Sequence, residues 1–222
     1  MPYYFRLGNI PPKRHTQFRR PDGELYREEV IGAEGFSGIS SIAYHLHPPT
    51  LVERIEAPIP YQVEYADTDF LRHRHLKGSD LEARGDWLSG RQYLMGNSDV
   101  RLALCSPTEE MSYFYKNAKA DELVFVHEGE GTLESPFGVL EFTSGDYVHI
   151  PRTVTHRWIF NKHRSPRLLV IEAFSEIRFP RRYRNQFGQL LEHSPYCERD
   201  IRPPSELLTI DEEGEYEIRI SD

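Results

Sequence analysis

The stretch that decides the fold runs from Asp121 to Asn161: DELVFVHEGEGTLESPFGVLEFTSGDYVHIPRTVTHRWIFN. It reads as short strands between evenly spaced turns. Residues 121–126 make the first strand and residues 128–131 its turn. Residues 132–135 and 139–142 follow, joined by Pro136, Phe137 and Gly138, where a glycine can supply the positive φ of a tight turn. Residues 143–146 lead into a strand over 147–150, which Pro151 ends because proline lacks the ladder N–H. A last strand spans 156–160. Short runs with alternating faces and regular turns predict an all-β sandwich, barrel or jelly roll.

The same residues resemble the paired motifs of the cupin superfamily, a small jelly-roll barrel. Glu122, Gly129 and Gly131 fit the first motif, and Gly145, Pro151 and His156 fit the second. In metal-binding cupins the first motif also carries His-x-His ahead of the glutamate. Those two positions are Lys116 and Ala118 here. The resemblance thus leaves Glu122 and His156 as vestigial ligand positions and marks Lys116 and Ala118 as lost ones. On a continuous strand Lys116, Ala118 and Glu122 share a face, which would put the lysine ammonium where a cation would sit.

A chain of 222 residues accommodates one ordinary domain with extensions or two small ones. Its net charge of −8 argues against nucleic acid as a partner. No apolar run approaches the ~18 residues of a membrane span, and the first residues lack the apolar core of a signal peptide. Cys105 and Cys197 read as reduced thiols, in keeping with a cytoplasmic protein.

Residues 1–20 hold five basic side chains and no acidic one, and Pro11-Pro12 prevents a helix there. This reads as a basic arm packing on an acidic surface. His45 and His47 share a face of a strand that Pro48-Pro49 closes, but Leu51 occupies the spacing where a carboxylate ligand would stand. Glu53 is the nearest acid, so a polar strand face is expected rather than a metal site. Arg72-His73-Arg74-His75 interleaves like charges and suits an anion-facing or inter-subunit surface. His127, His149 and His163 have no matching acid and read as solvated or hydrogen-bonded. Residues 167–174 (RLLVIEAF) form a buried strand. Residues 181–184 and 189–193 make a short helix or an irregular crossing. Residues 205–222 carry seven acids against one arginine and end on a strand-like alternation with no evident local partner. The organisation expected is an arm over 1–34, a cupin-like barrel over 35–180, and a linker with an acidic tail over 181–222.

Several separate stretches resemble the homogentisate 1,2-dioxygenase family, especially its shorter bacterial members. They are YYFRLG (3–8) with KRHTQF (13–18), YHLHPPT (44–50), RHRH (72–75), YFYKNA (113–118) and PYCERDIR (195–202). The resemblance covers essentially the whole chain. It implies a cytoplasmic enzyme of tyrosine catabolism that opens an aromatic ring with O2 at non-haem Fe(II), assembled as a trimer or hexamer. In that family the iron triad lies in a second cupin-like half. This chain resembles the first half and the start of the connection, so no residue in it inherits the role of iron ligand.

Three function classes follow. The chain is the N-terminal cupin of a ring-cleaving dioxygenase, a non-catalytic cupin module for assembly or small-molecule binding, or an independent metal-dependent cupin enzyme. Mononuclear iron needs two imidazoles and one carboxylate on a face, and Glu122 with His156 falls one imidazole short. The chain alone is expected to bind no Fe(II) and to be inactive.

Overall fold

The structure is a computed structural model, and it describes residues 17–34, 37–49, 51–61, 63–66 and 72–222. Residues 1–16 of the N-terminal arm therefore lie outside the described residues, including Arg6, Lys13 and Arg14. Of the arm's charges, Arg19 bonds Gln17 and the Gly23 carbonyl, and Arg20 pairs with Asp22.

The first strands, β1 (Arg27–Glu34) and β2 (Ser37–His45), form an antiparallel hairpin. Val30 and Ile42 sit opposite each other on its exposed face, while Ile31 reaches the core.

One five-stranded antiparallel sheet carries the polar cluster described below. Its order is β3 (Arg91–Gly96), β4 (Val100–Cys105), β11 (Arg167–Ala173), β6 (Asp121–Glu128) and β9 (Tyr147–Ile150). The second sheet holds β10 (Arg157–Phe160), β7 (Gly131–Ser135) and β8 (Gly138–Phe142). It continues through Tyr115 and His156, whose N–H groups each donate to the other's carbonyl at 2.8 Å. That bridge adds β5 (Phe114–Asn117) and its parallel neighbour β12 (Ile218–Ser221). The chain passes from sheet to sheet between β6 and β11, and the result is the expected mainly β, cupin-like jelly-roll barrel.

The alternation of the strands fills the space between the sheets. Val124 and Val126 of β6, Leu168 and Val170 of β11, and Val148 and Ile150 of β9 meet Leu133, Phe142 and Trp158. Trp87 and Trp158 pack with ring centroids 4.6 Å apart, and Phe142 lies edge-on to Trp158. Each fully buried aliphatic side chain contributes about 1.5–3 kcal/mol.

The C-terminal segment differs from expectation. Its final strand has no partner nearby in sequence, yet it is not left unpaired: β12 pairs with β5, about a hundred positions earlier, and closes that edge of the second sheet. Ser205 and Glu206 are held at the opposite edge, where Val139 accepts from Ser205 N–H and donates to Glu206 O, both at 3.0 Å. The intervening residues therefore run from the β8 edge to the β5 edge. Five strand spacings of ~4.8 Å make about 24 Å, within reach of eleven residues at ~3.3 Å each. Where a short helix or an irregular crossing is expected, residues 181–184 form a single 3-10 turn, Arg181–Tyr183.

Candidate functional site

Strand alternation aims several charged side chains into the barrel. Glu122 heads the inward row of β6, and Glu172 ends the inward row of β11 directly opposite it in register. Arg91 enters from the start of β3. Its Nη1 lies 2.8 Å from Glu122 Oε1 and 3.0 Å from Glu172 Oε1, and the guanidinium is fully buried. Arg91 Nε donates to the Trp87 carbonyl at 3.3 Å. The guanidinium carbon stands 4.5 Å from the Trp87 ring centroid and 5.5 Å from that of Tyr115. Tyr93 O–H donates to Glu172 Oε2 at 2.8 Å.

Asn117 joins from the second sheet. Its Oδ1 accepts from the N–H groups of Lys119 and Ala120, the local bonding of an Asx turn. That fixes the amide so that Nδ2 donates to Glu122 Oε1 at 3.1 Å and to Glu172 Oε1 at 3.2 Å. His156 completes the group. Its Nδ1 donates to the Val154 carbonyl at 3.0 Å, and its Nε2 stands 3.8 Å from Glu122 Oε2.

Burial alone would raise the Glu122 carboxyl and lower the His156 imidazolium. For Glu122 burial is the largest single influence, but the Arg91 guanidinium, His156 and Asn117 together outweigh it, and the carboxyl is held below its usual range. For His156 burial wins over the attraction of Glu122, and the ring is pushed toward neutrality. Arg91 is held charged, burial being overcome by Glu122, Tyr115 and Glu172. Removing one partner from such a buried pair costs about 3–5 kcal/mol.

Glu122 and His156 do converge, as the motif spacing implies. Lys116 and Ala118 do not join them. The chain turns between Asn117 and Asp121, so strand parity does not carry across. Asn117 and Tyr115 face inward, while Lys116 is half-buried on the other face of β5, beside Ile220 of β12. Ala118 donates its N–H to Ser221. A cation does fill the space beside Glu122, but it is Arg91 and not Lys116.

Arg91, Glu172 and Asn117 went unweighed in the sequence. Glu172 had a signal, being the lone charge inside an apolar strand, and a buried charge needs a partner. Arg91 carried none.

Elsewhere the histidines find separate partners. His45 meets Glu29 at 2.9 Å and His47 meets Asp211 at 2.6 Å. His149, read as having no matching acid, stands 3.4 Å from the buried Asp121. His127 lies 3.7 Å from Glu128, and His163 is exposed. Residues 72–75 are exposed. Among the described residues no group of three or more His, Cys, Asp or Glu is placed to hold a metal. Both cysteines are free, and burial pushes the Cys105 thiol up to about 12.

The Fe(II) that the resemblance implies does not fit these side chains. It asks for two imidazoles and a carboxylate on one face. Here one imidazole is in place, and a guanidinium hydrogen-bonds the carboxylate and repels a second cation.

No protein-family model matches the chain. The chain is similar to a Saccharolobus solfataricus protein named "Putative dioxygenase SSO1533", with 39% identity over 222 residues. The match covers 99% of this chain and 56% of that protein, so this chain spans about half the length of that relative. Solved structures similar to it include a cupin-2 domain protein from Shewanella frigidimarina, at 20% identity and a TM-score of 0.33, covering 37% of this chain and 78% of that one. KdgF from Halomonas sp. is another, at 12% identity and 0.37, covering 45% and 91%. Neither likeness speaks to activity. No helix among the described residues is long and apolar enough to cross a membrane.

Proposed function

We propose that this chain is the non-catalytic barrel of an O2-dependent, ring-cleaving dioxygenase of the homogentisate type. On this reading Fe(II) is held by a second domain outside these residues. The observation that carries the reading is the ion cluster at the place where cupin ligands would stand, with Arg91 against Glu122 and Glu172. A barrel closed in this way supplies a scaffold and not a reaction centre. Support for the reaction class comes from the 39% identity to a relative named as a dioxygenase, about half of which this chain spans.

The small aromatic substrate, O2 and a cytoplasmic location belong to the same proposal, as does a homo-oligomer, trimeric or hexameric. Leu51, Val52, Ile55 and Ile59 are exposed along one irregular segment, Ile55 by 88%, with Glu53, Arg54 and Glu56 between them, and exposed apolar side chains grouped this way suit an interface.

The test is aerobic turnover of homogentisate with added Fe(II), followed by the absorbance of the ring-opened product. It is run on the complete dioxygenase-length protein and on the 222-residue chain. Turnover by the first and none by the second is expected. Turnover by the 222-residue chain would make it an independent metal-dependent enzyme, and an inactive complete protein would remove homogentisate as the substrate.

A further inference from the structure

Two surfaces of opposite charge lie after residue 180, and no ion pair among the described residues joins them within the chain. The first is a tight turn. Arg184 and Leu190 bridge across it, and Asn185 N–H donates to the Gln189 carbonyl at 2.9 Å. The Asn185 side chain accepts from Phe187 N–H at 2.8 Å and from Gln189 N–H at 3.1 Å. The turn so fixed holds Phe187 77% exposed, beside an open hollow of about 530 Å³ that Arg181 and Arg184 also line. Arg181, Arg182 and Arg184 make no ion pair among the described residues, and Arg182 lies over the Tyr183 ring. The second surface is residues 207–217 (LLTIDEEGEYE), with five acids and no base. They run without regular secondary structure between the Val139–Glu206 bridge and β12, which fix both ends. Leu207, Leu208, Ile210 and Tyr216 are exposed along them. Asp211 meets His47 and Glu217 meets Arg219, whereas Glu213 and Glu215 have no cationic partner among the described residues. His47 itself stands just ahead, in sequence, of the exposed apolar segment 51–59.

We propose that the arginine turn of one copy of this chain docks on the acidic, apolar 207–217 face of a second copy. The inference rests on the homo-oligomer proposed above and names one of its contacts. Phe187 supplies the apolar anchor, and Arg181 and Arg184 supply donors for Glu213 and Glu215. Aromatic and arginine side chains are the ones enriched where interfaces are buried. A turn already held by its own hydrogen bonds loses little freedom on docking. The chain's net charge of −8 disfavours a polyanion as the arginines' partner, while a second copy brings the complementary acids with it. Because the two surfaces differ, the contact runs head to tail, and copies so joined close a ring such as a trimer rather than a two-fold dimer.

The experiment measures mass by light scattering and sedimentation for the 222-residue chain and three charge variants. These are Arg181→Glu/Arg184→Glu, Glu213→Lys/Glu215→Lys, and the chain carrying all four substitutions. None of the four side chains makes an ion pair within the described residues, so each variant should melt close to the parent. Either reversed pair alone sets like charges across the contact and should weaken association by about tenfold or more. The four-substitution chain restores opposite charges and should regain the parent's mass, and high salt should loosen both. If a reversed pair does not fold, Arg181→Gln/Arg184→Gln, which removes charge without reversing it, should weaken association in the same direction. The inference fails if either reversed pair keeps the parent's mass, an outcome that leaves the homo-oligomer standing on other contacts and the arginines to a different partner. It fails also if the four-substitution chain stays dissociated, because charge complementarity would then not be what joins the copies. A monomeric parent would remove the homo-oligomer and this contact together.

Discussion

His156 is fully buried and pushed toward neutrality, while in the unfolded chain it titrates at about 6.5. Between the two values the unfolded state binds the extra proton, so stability falls as pH falls from about 6.5. Glu122, Asp86 and Asp121 are each held below their usual range, although burial opposes it in every case. Arg91 is the chief opposing cause for Glu122, Ser89 for Asp86 and His149 for Asp121. Their contribution is present above about pH 4 and lost below it. Urea unfolding at a series of pH values should therefore show two stages of acid loss. The upper stage has a slope of at most about 1.4 kcal/mol per pH unit for one group. Replacing His156 with Gln should flatten the upper stage and leave the lower one. A parent equally stable at pH 7 and 5 would contradict the neutral, buried assignment.

At the level of elements, Gly138 carries the attachment of the C-terminal segment. It has φ +117, and a Cβ there would lie 2.0 Å from the Glu206 carbonyl oxygen. Gly138→Ala is thus both strained and in collision with the chain it holds. It should release the segment at the β8 edge, detected as faster amide exchange at Ser205 and proteolysis between residues 206 and 217. Unchanged exchange at Ser205 would show that the segment is held by other means.

The strands of the barrel were legible because turn residues punctuate them. Residues 147–150 and 167–173 appear almost as the alternation and the apolar run imply. The partner of β12 was not legible, because a parallel pairing with β5 joins residues about a hundred positions apart and leaves no local mark. The convergence of Glu122 with His156 was legible from motif spacing. The inward turn of Asn117 was not, since it depends on an Asx turn that breaks the parity between β5 and β6.

At the scale of the whole molecule, the proposed homo-oligomer can be tested at the exposed apolar residues near Ile55. Ile55→Asp places a charge in that surface and should lower the oligomer mass measured by light scattering while leaving the melting temperature within a few degrees, as a surface change does. An unchanged mass would place the contacts elsewhere. The central claim is that the barrel is closed to metal by its own arginine, and iron content tests it most directly. The 222-residue chain is purified anaerobically with Fe(II) in excess, and iron per chain is determined by elemental analysis. The account predicts iron far below one equivalent, unchanged by replacing His156 with Gln. Near one iron per chain, lost on that replacement, would contradict it.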